Sequence, residues 1–269
     1  TLNLMPVSDY PYTESSDVHV YGTDYFQLNG EDELRIDFQG EPENQFLPTT
    51  AHTGETMWWS NWGNRSDAYL ARRFDLSGQS EATLRYWTWY DLEPGYDYAY
   101  VFASADGETW EALRGTHNNR QGDYGFSYNG DSNENWVEEQ IDLSAYAGGP
   151  VWIRFDYITD DSINHAGFMI DDITIPEIGF EDPCDQVGDW QSAGFVLAGP
   201  TLPQRWLVQL VEFPSSGDPS VRRMTLDEYQ AGSIDLDLGT GTGQALLAIS
   251  ALTRYTTETA NYQFEITYR

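Results

Sequence analysis

Apolar and polar residues alternate with a period of two along most of this chain, in short runs separated by Gly, Asn, Asp and Pro. In residues 151–158 the odd-numbered positions are apolar or aromatic, and Trp152, Arg154 and Asp156 lie between them. Successive side chains of a β-strand point to opposite faces of a sheet, so this pattern is typical of a strand with one buried face. No run shows an apolar stripe of helix length. The pattern therefore predicts an all-β protein.

Two similar segments predict how the strands are arranged. The motif Phe-Asp-Leu-Ser-Gly at 74–78 precedes a predicted strand at 83–90, and Ile-Asp-Leu-Ser-Ala at 141–145 precedes the strand at 151–158. Both strands run into acidic ends. Two equivalent strands in opposed sheets would produce this repetition, which favours a jelly roll or a related two-sheet β-sandwich. A further strand at 167–175 is expected to close the domain.

We expect the chain to consist of three parts. Residues 1–20 are polar, contain proline and lack a clear period, which predicts an N-terminal extension or linker. Residues 21–178 form the predicted jelly roll, and residues 179–269 form a second, smaller β-sandwich that follows it. Pro176 and Pro183 flank this second boundary. Residues 179–269 contain 12 acidic residues and 5 arginines, a formal charge of −7, whereas residues 1–178 have a formal charge of −24.

The charge of the whole chain narrows the classes of partner. The formal net charge is −31, from 44 acidic residues and 13 basic ones, all of which are arginine. Such a field repels phosphate backbones and anionic membranes, so we expect no nucleic-acid partner and no membrane insertion. It attracts cations, although an adaptation to high salt would also explain the charge. The single cysteine, Cys184, excludes an internal disulfide.

Carboxylates collect at the predicted strand ends. Asp91 and Glu93 point the same way, and Asp97 follows after a Pro-Gly turn. These groups would repel one another unless a cation or an array of hydrogen-bond donors lay among them, and calcium takes six to eight oxygen ligands. The sequence therefore predicts structural calcium in the jelly roll. The candidate ligands are Asn64, Asp67, Asp91, Glu93, Asp97, Asp171 and Asp172, and Asp160 and Asp161 offer further oxygens.

Two alternatives remain open for these acidic residues. They would also be explained as solvated strand ends or as hydrogen-bonded turn caps. Because neighbouring residues of a strand point to opposite faces, only one of Asp171 and Asp172 is expected to point inward. Paired carboxylates are also found in glycosidases, but no acid here is distinguished as a proton donor and none as a nucleophile. We therefore assign no catalytic residue.

The tryptophans allow two interpretations as well. They could provide a stacking platform for sugar rings or fill the core of the sandwich. Trp87 and Trp89 share one face of their strand, and Tyr86, Thr88 and Tyr90 share the other. One row is expected to be core. The other, if exposed, would be an interaction surface.

Several motifs follow one another in a characteristic order. They are Trp-Trp-Ser-Asn at 58–61, Trp-Thr-Trp-Tyr-Asp at 87–91, Asp-Leu-Ser-Ala-Tyr-Ala-Gly at 142–148, Gly-Phe-Met-Ile-Asp-Asp-Ile at 167–173 and Pro-Gln-Arg-Trp-Leu-Val at 203–208. With these motifs, the chain from about residue 20 to its end resembles the non-catalytic region of immune inhibitor A-type secreted bacterial metallopeptidases. The resemblance implies a MAM-like jelly roll with structural calcium, followed by a second β-module.

The resemblance does not extend to the catalytic zinc helix of that family, which carries His-Glu-x-x-His. The four histidines are His19, His52, His117 and His165, and none is followed by Glu. We therefore expect a non-catalytic region, extracellular or at the bacterial cell surface, that serves recognition or anchoring. Its expected partner is a protein or glycan surface, or the catalytic domain of its own parent chain. The alternatives are a carbohydrate-binding module, or a surface or assembly protein built from the same domains.

Overall fold

The computed structural model describes residues 4–239 and 243–269. It confirms the predicted all-β class, since the helical elements of these ranges are two 3₁₀ turns, Ser144–Tyr146 and Pro176–Ile178. Neither turn has the length or the apolar character to cross a membrane. The strands form two compact units. One unit combines the residues up to 46 with residues 201–269, and the other comprises residues 47–200.

The strands follow one another in three groups along the chain. The first group belongs to the split unit and consists of β1 Leu4–Val7, β2 Tyr12–His19, β3 Thr23–Asn29, β4 Glu33–Gly40 and β5 Glu43–Gln45. The second group forms the continuous unit and consists of β6 Met57–Trp59, β7 Asp67–Asp75, β8 Thr83–Asp91, β9 Tyr98–Ser104, β10 Glu111–Ala112, β11 Asn119–Gly122, β12 Gly125–Ser127, β13 Val137–Asp142, β14 Pro150–Ile158, β15 Gly167–Ile175, β16 Phe180–Asp182, β17 Gln191–Ala193 and β18 Val196–Ala198. The third group completes the split unit and consists of β19 Thr201–Pro203, β20 Trp206–Glu212, β21 Ser220–Arg223, β22 Ala231–Asp237, β23 Gln244–Ala251 and β24 Thr259–Tyr268.

The split unit is a small sandwich of two sheets. One sheet has the order β1-β3-β23-β20-β21 and the other β2-β24-β4-β22, while β5 pairs with β19. Alternate residues of these strands, among them Phe26, Ile36, Leu247 and Phe264, form one buried core. The apolar segments near 206–213, 245–251 and 262–268 contain β20, β23 and β24 of this unit.

The first predicted domain boundary differs from the structure. Residues 4–20 are not a linker, because β2 pairs with β24 along its whole length, from Tyr12 opposite Ile266 to His19 opposite Thr259. Residues 1–3 of the predicted extension lie outside the described residues. The strand looks polar because most of its side chains are exposed or half-exposed, and only Val18 is buried. Its partner lies at the other end of the chain, so no local pattern identifies the pairing.

The second predicted boundary, at 178/179, also differs from the structure. Residues 179–200 belong to the continuous unit, where Cys184, Trp190 and Phe195 are buried in the core. Arg72 of β7 helps to hold this segment, because its guanidinium lies 4.7 Å from the ring centre of Phe180 and 3.1 Å from a carboxylate oxygen of Asp189. The smaller sandwich therefore does not follow the larger one in sequence. The larger one is inserted between β5 and β19.

The continuous unit is the two-sheet sandwich predicted for the first domain. One sheet has the order β10-β9-β14-β7-β17, and the other has the order β13-β8-β15-β6-β18, with β16 also paired to β15. The two strands that follow the repeated motifs, β8 and β14, lie in different sheets as expected. Their inner faces share one core, in which the rings of Tyr86 and Phe155 pack edge to face at 5.0 Å.

One face of β8 is core, as the alternation predicted, and the other face is covered rather than exposed. Tyr86 and Tyr90 face the core, and the Thr88 hydroxyl donates a hydrogen bond to the Met169 carbonyl at 2.8 Å. Trp87 lies on the other face, but it is not an open platform, because the His52 ring stacks on it at 3.9 Å. The other tryptophans are also buried or half-buried, except for Trp62, which is exposed.

Val18 tests whether β2 belongs to the fold. We expect Val18→Thr, a nearly isosteric change that adds a polar hydroxyl to the core, to lower the free energy of unfolding by about 1–3 kcal/mol. The reverse exchange at the exposed Thr13 of the same strand, Thr13→Val, is expected to change it by less than about 0.5 kcal/mol. Urea unfolding measures both. A Val18→Thr protein as stable as the original would contradict the assignment of β2 to the sandwich.

Candidate metal centre

Three carboxylates meet at one end of the continuous unit. Oxygen atoms of Glu93, Asp97 and Asp160 all lie within 4.8 Å of one another. The strand register brings them together. Because Tyr98 at the start of β9 pairs with Ile158 at the end of β14, the residues just before β9 and just after β14 are neighbours. Glu93 and Asp97 come from the β8–β9 connection, and Asp160 comes from the segment after β14.

Asp97 is fixed at the centre of this group and is 1 % exposed. Its Oδ2 accepts a hydrogen bond from the Tyr157 hydroxyl at 3.1 Å, and its Oδ1 accepts one from the backbone N–H of Asp160 at 3.0 Å. The side-chain amide of Asn129 donates to the carbonyls of Asp97 and Glu93, at 2.8 and 3.3 Å. These bonds hold the Asp97 carboxylate and the backbone of both residues in place before any ligand binds.

Glu93 supplies an unsatisfied oxygen. Its side chain is 8 % exposed, and its buried Oε2 has no hydrogen-bond partner among the described residues. Buried polar atoms in native proteins nearly always have a partner, whether protein, ordered water or a bound ion. A buried carboxylate oxygen without a hydrogen-bond partner, next to two other carboxylates, fits the ligand set of a cation.

The electrostatics of the group favour a cation as well. Burial raises the pKa of Glu93, and the carboxylates of Asp160 and Asp97 raise it further. Burial also raises the pKa of Asp97, against the lowering effect of its hydrogen bonds. In the described parts of the chain, none of the three forms an ion pair with an arginine. Their mutual repulsion is therefore not offset by an arginine.

The other predicted ligands lie elsewhere. Asp91 ends β8, but its Oδ1 lies 2.7 Å from Nδ1 of His165, and it is not part of the three-carboxylate group. Asn64 is exposed in a turn, and Asp67 is exposed at the start of β7. Neither belongs to the group. The sequence identified Asp160 only as an acid at a strand end. The register of β9 and β14 places it next to Glu93 and Asp97.

Asp171 and Asp172 anchor a loop. Oδ2 of Asp171 accepts hydrogen bonds from the backbone N–H groups of His52 and Thr53, at 2.8 and 3.2 Å. Asp172 contacts the same two residues, with Oδ2 at 2.6 Å from His52 Nδ1 and Oδ1 accepting from the Thr53 hydroxyl at 2.6 Å. The expectation that the pair points to opposite faces is wrong here. Asp172 has a φ of 48°, and the register with β8 shifts after Asp171.

Asp171 and Asp106 are expected to give pH dependences of stability with opposite sign. Burial raises the pKa of Asp171 to about 6, so its ionisation costs stability as the pH rises from about 4 to about 6. Hydrogen bonds from Thr109, Glu108 and Ser104 lower the pKa of Asp106 to about 2, so its contribution is present above about pH 4 and is lost as the pH falls towards 2.

The measurement is a series of urea unfolding curves at several pH values for the original protein and two variants. Relative to Asp171→Asn, the original protein should lose roughly 2 kcal/mol between about pH 4 and pH 6. Relative to Asp106→Asn, it should gain stability between about pH 2 and pH 4. If the free energies of unfolding of the original protein and of Asp171→Asn changed equally with pH, the role of burial at this position would be contradicted.

Comparison with known proteins places these features in a family. Residues 40–199 match the family model described as immune inhibitor A-like, MAM domain. The chain is 30 % identical over 146 residues to the pre-pro-metalloprotease PrtV of Vibrio cholerae serotype O1, and 30 % identical over 136 residues to bacillopeptidase F of Bacillus subtilis. It is 28 % identical over 133 residues to immune inhibitor A of Bacillus thuringiensis subsp. alesti.

These matches cover 53, 48 and 48 % of this chain but only 15, 9 and 18 % of the three relatives. The matched region ends within one residue of the end of the continuous sandwich, and that sandwich carries the three carboxylates. The family model covers more than half of the chain, so this chain belongs to the immune inhibitor A-like MAM domain family.

Proposed function

We propose that this chain is a non-catalytic, extracellular recognition or anchoring region that calcium makes rigid at Glu93, Asp97 and Asp160. The observation that carries the calcium site is the group of three carboxylates, one with an unpartnered buried oxygen, on two connections that only tertiary pairing brings together. Calcium would join the β8–β9 connection to the segment after β14. The role of such an ion is to hold the end of the sandwich in one conformation.

The donor set suits calcium better than the other common ions. The side chains of the group offer only oxygen, whereas structural zinc sites are built from cysteine and histidine and catalytic ones include at least one of them. Three carboxylates do not complete six to eight ligands, and backbone carbonyls and water would supply the rest. Magnesium demands a stricter octahedral geometry and keeps most of its water, so it is the less suitable divalent ion.

A non-catalytic role is supported by the positions of the histidines. His52, His117 and His165 each lie within 2.7 Å of a different carboxylate, those of Asp172, Glu139 and Asp91. In the described ranges, no group of three metal-ligating side chains includes a histidine. The chain thus offers no site of the His-Glu-x-x-His kind.

An accessory role next to a peptidase is supported by the relatives, two of which are named as a metalloprotease and a peptidase. This chain corresponds to a small part of each of them. Their extra length leaves room for catalytic domains that this region would accompany outside the cell. A broad sugar-stacking platform is less well supported, because only Trp62 is strongly exposed among the tryptophans.

Calcium is expected to raise the melting temperature of the chain. A ligand that binds only the folded state stabilises it by RT ln(1 + [L]/Kd), about 4 kcal/mol at a thousandfold excess over Kd. Thermal unfolding is recorded with a chelator, with calcium and with magnesium. Equal midpoints in chelator and in saturating calcium would remove calcium from the proposal.

A pair of variants locates the site within the same experiment. Glu93→Gln keeps the size of the side chain and removes one charge, so it should weaken calcium binding by roughly tenfold or more. In chelator the same change should not lower the melting temperature, because it relieves repulsion among the carboxylates. The matched control is Asp161→Asn, an exposed acid beside the site that pairs with Arg65 at 3.1 Å. It should leave the calcium response unchanged.

The pure chain is expected to cleave no protein substrate, with or without added zinc, because it lacks the zinc motif and any nucleophile–base pair. A denatured casein assay with labelled substrate measures this, with an active metallopeptidase as the positive control. Zinc-dependent cleavage that co-purifies with the chain and is lost on chelation would contradict the non-catalytic assignment.

A further inference from the structure

The two sheets of the split unit have outer faces of opposite character. Alternate residues of their strands are buried in the shared core, so the residues between them lie on the outer face of each sheet. In the sheet β1-β3-β23-β20-β21 this outer face is largely apolar. Its leucine, valine and tyrosine members are Leu4, Tyr25, Leu207, Val211, Val221 and Leu246. We call this surface the β23 face, after its central strand.

The strand register places aliphatic side chains of the β23 face side by side. Val221 of β21 lies opposite Val211 of β20, which lies opposite Leu246 of β23. The same row continues to Gln27 of β3 and Pro6 of β1. Val221 is 58 % exposed, and Val211 and Leu246 are half-buried. The row therefore crosses all five strands without a charged side chain.

The five strands, all of which the structure describes, place no carboxylate on the β23 face. They contain two acids, Asp24 and Glu212, and both belong to the set of positions that faces the other sheet. Asp24 accepts a hydrogen bond at 2.7 Å from the hydroxyl of Tyr262, which is in that other sheet. Glu212 pairs with Arg222 at 2.8 Å. The one charged side chain that these strands place on the β23 face is Arg223.

The outer face of the opposite sheet, β2-β24-β4-β22, has the reverse composition. In the described strands its outward positions carry no leucine, isoleucine, valine or phenylalanine. They carry six carboxylates, those of Asp17, Glu33, Asp37, Asp235, Asp237 and Glu265. Acidic residues occupy 44 of the 269 positions of the chain, so a five-stranded face without one departs from the general composition. Contiguous exposed apolar patches mark interaction surfaces.

We propose that the β23 face binds a second copy of this chain, so that two such faces pack against each other in a symmetric dimer. A twofold interface uses the same surface of both copies. Two sheets that pack face to face lie about 10 Å apart, and their side chains interdigitate. This proposal goes beyond the recognition role and does not depend on the proposed calcium site, which lies in the continuous unit.

The distribution of charge favours this face for contact between copies. The net charge of each chain is −31, so two copies repel each other most where carboxylates of both meet. Two β23 faces bring no carboxylate of their strands into the contact. Two outer faces of the β2-β24-β4-β22 sheet would instead oppose six carboxylates from each copy. A basic partner protein would be attracted to the acidic surfaces of the chain rather than to the β23 face.

The area of the face is enough for a weak dimer. Five strands about 4.8 Å apart, each about seven residues long with a rise of about 3.3 Å per residue, cover about 550 Å² in each copy. Two copies would thus bury about 1,100 Å², slightly below the range of about 1,200–2,000 Å² that is typical of stable complexes. We therefore expect a reversible dimer with a dissociation constant in the micromolar range.

Sedimentation equilibrium tests the proposal at protein concentrations from about 1 to about 300 µM, in dilute salt and in about 1 M sodium chloride. We expect dimers at the upper end of this range and stronger association in high salt. The Debye length falls to about 3 Å at 1 M salt, which screens the repulsion between the two acidic copies. A chain that is monomeric at every concentration in both salts would overturn the proposal, and that result is expected if a different partner covers the face. A dimer that salt weakens would be held by ion pairs and would overturn it as well.

Two variants that add the same charge locate the contact. Val221→Glu places a carboxylate on the β23 face, at an exposed position of the edge strand β21. The matched control is Ser233→Glu, at an exposed position of the edge strand β22 on the outer face of the other sheet. We expect Val221→Glu to raise the dissociation constant of the dimer by about tenfold or more, and Ser233→Glu to change it by less than about twofold. Equal effects of the two changes would show that net charge alone controls association, which would contradict the proposal.

A third variant tests the apolar contact without a change of charge. Leu246→Gln removes an aliphatic side chain at the centre of the row and should raise the dissociation constant by about tenfold. The melting temperature of each variant shows that it is folded, and the exposed position of Val221 keeps the test decisive if Leu246→Gln does not fold. A monomeric chain that calcium stabilises contradicts only the dimer. A dimeric chain that does not respond to calcium contradicts only the calcium site.

Discussion

The antiparallel register between β9 and β14 is the constraint on which the candidate metal centre depends. With Tyr98 opposite Ile158, the connection before β9 and the segment after β14 leave the sheet side by side. The hydrogen bond from the Asp160 N–H to Asp97 locks these two segments together. The same segment after β14 continues to His165, which contacts Asp91 at the end of β8. One register thus sets the positions of both the three-carboxylate group and the His165–Asp91 contact.

The buried carboxylates of the continuous unit fall into three groups according to their partners. Asp156 is paired with Arg154 through two short hydrogen bonds, of 2.7 and 2.6 Å. Glu139 and Asp171 accept backbone N–H groups and so fasten loops to the sheet. Among the described residues, Glu93, Asp97 and Asp160 have no arginine partner, and Oε2 of Glu93 has no donor. Acid-rich composition alone does not separate these roles, because the partners come from other strands and loops. That difference in partners is the physical basis for proposing a cation at the last group only.

The insertion of one sandwich into the other changes how the chain must be divided. β2, near the start of the described chain, pairs with β24, near its end. Both segments are therefore strands of one sheet. Residues 179–200, with Trp190 and Phe195, complete the core of the larger sandwich after its last long strand. Any fragment cut at 178 would therefore remove buried aromatic surface from that core. The family match, which ends at residue 199, agrees with the structural boundary at 200.

Local patterns in the sequence were sufficient for the class of fold and for the strands β8, β14 and β15. In β14 the period-two alternation carried the prediction, because side chains of a half-buried strand alternate between core and solvent. The acids at strand ends pointed to Glu93 and Asp97 for the same reason. The tertiary structure alone decided which acids lie together. Strand pairing brings Asp160 next to Glu93 and Asp97, whereas the carboxylate of Asp171 binds the backbone of the His52 loop instead. It also decided the domain boundaries, because the pairing of β2 with β24 joins residues about 250 positions apart, and such contacts leave no local pattern in the sequence.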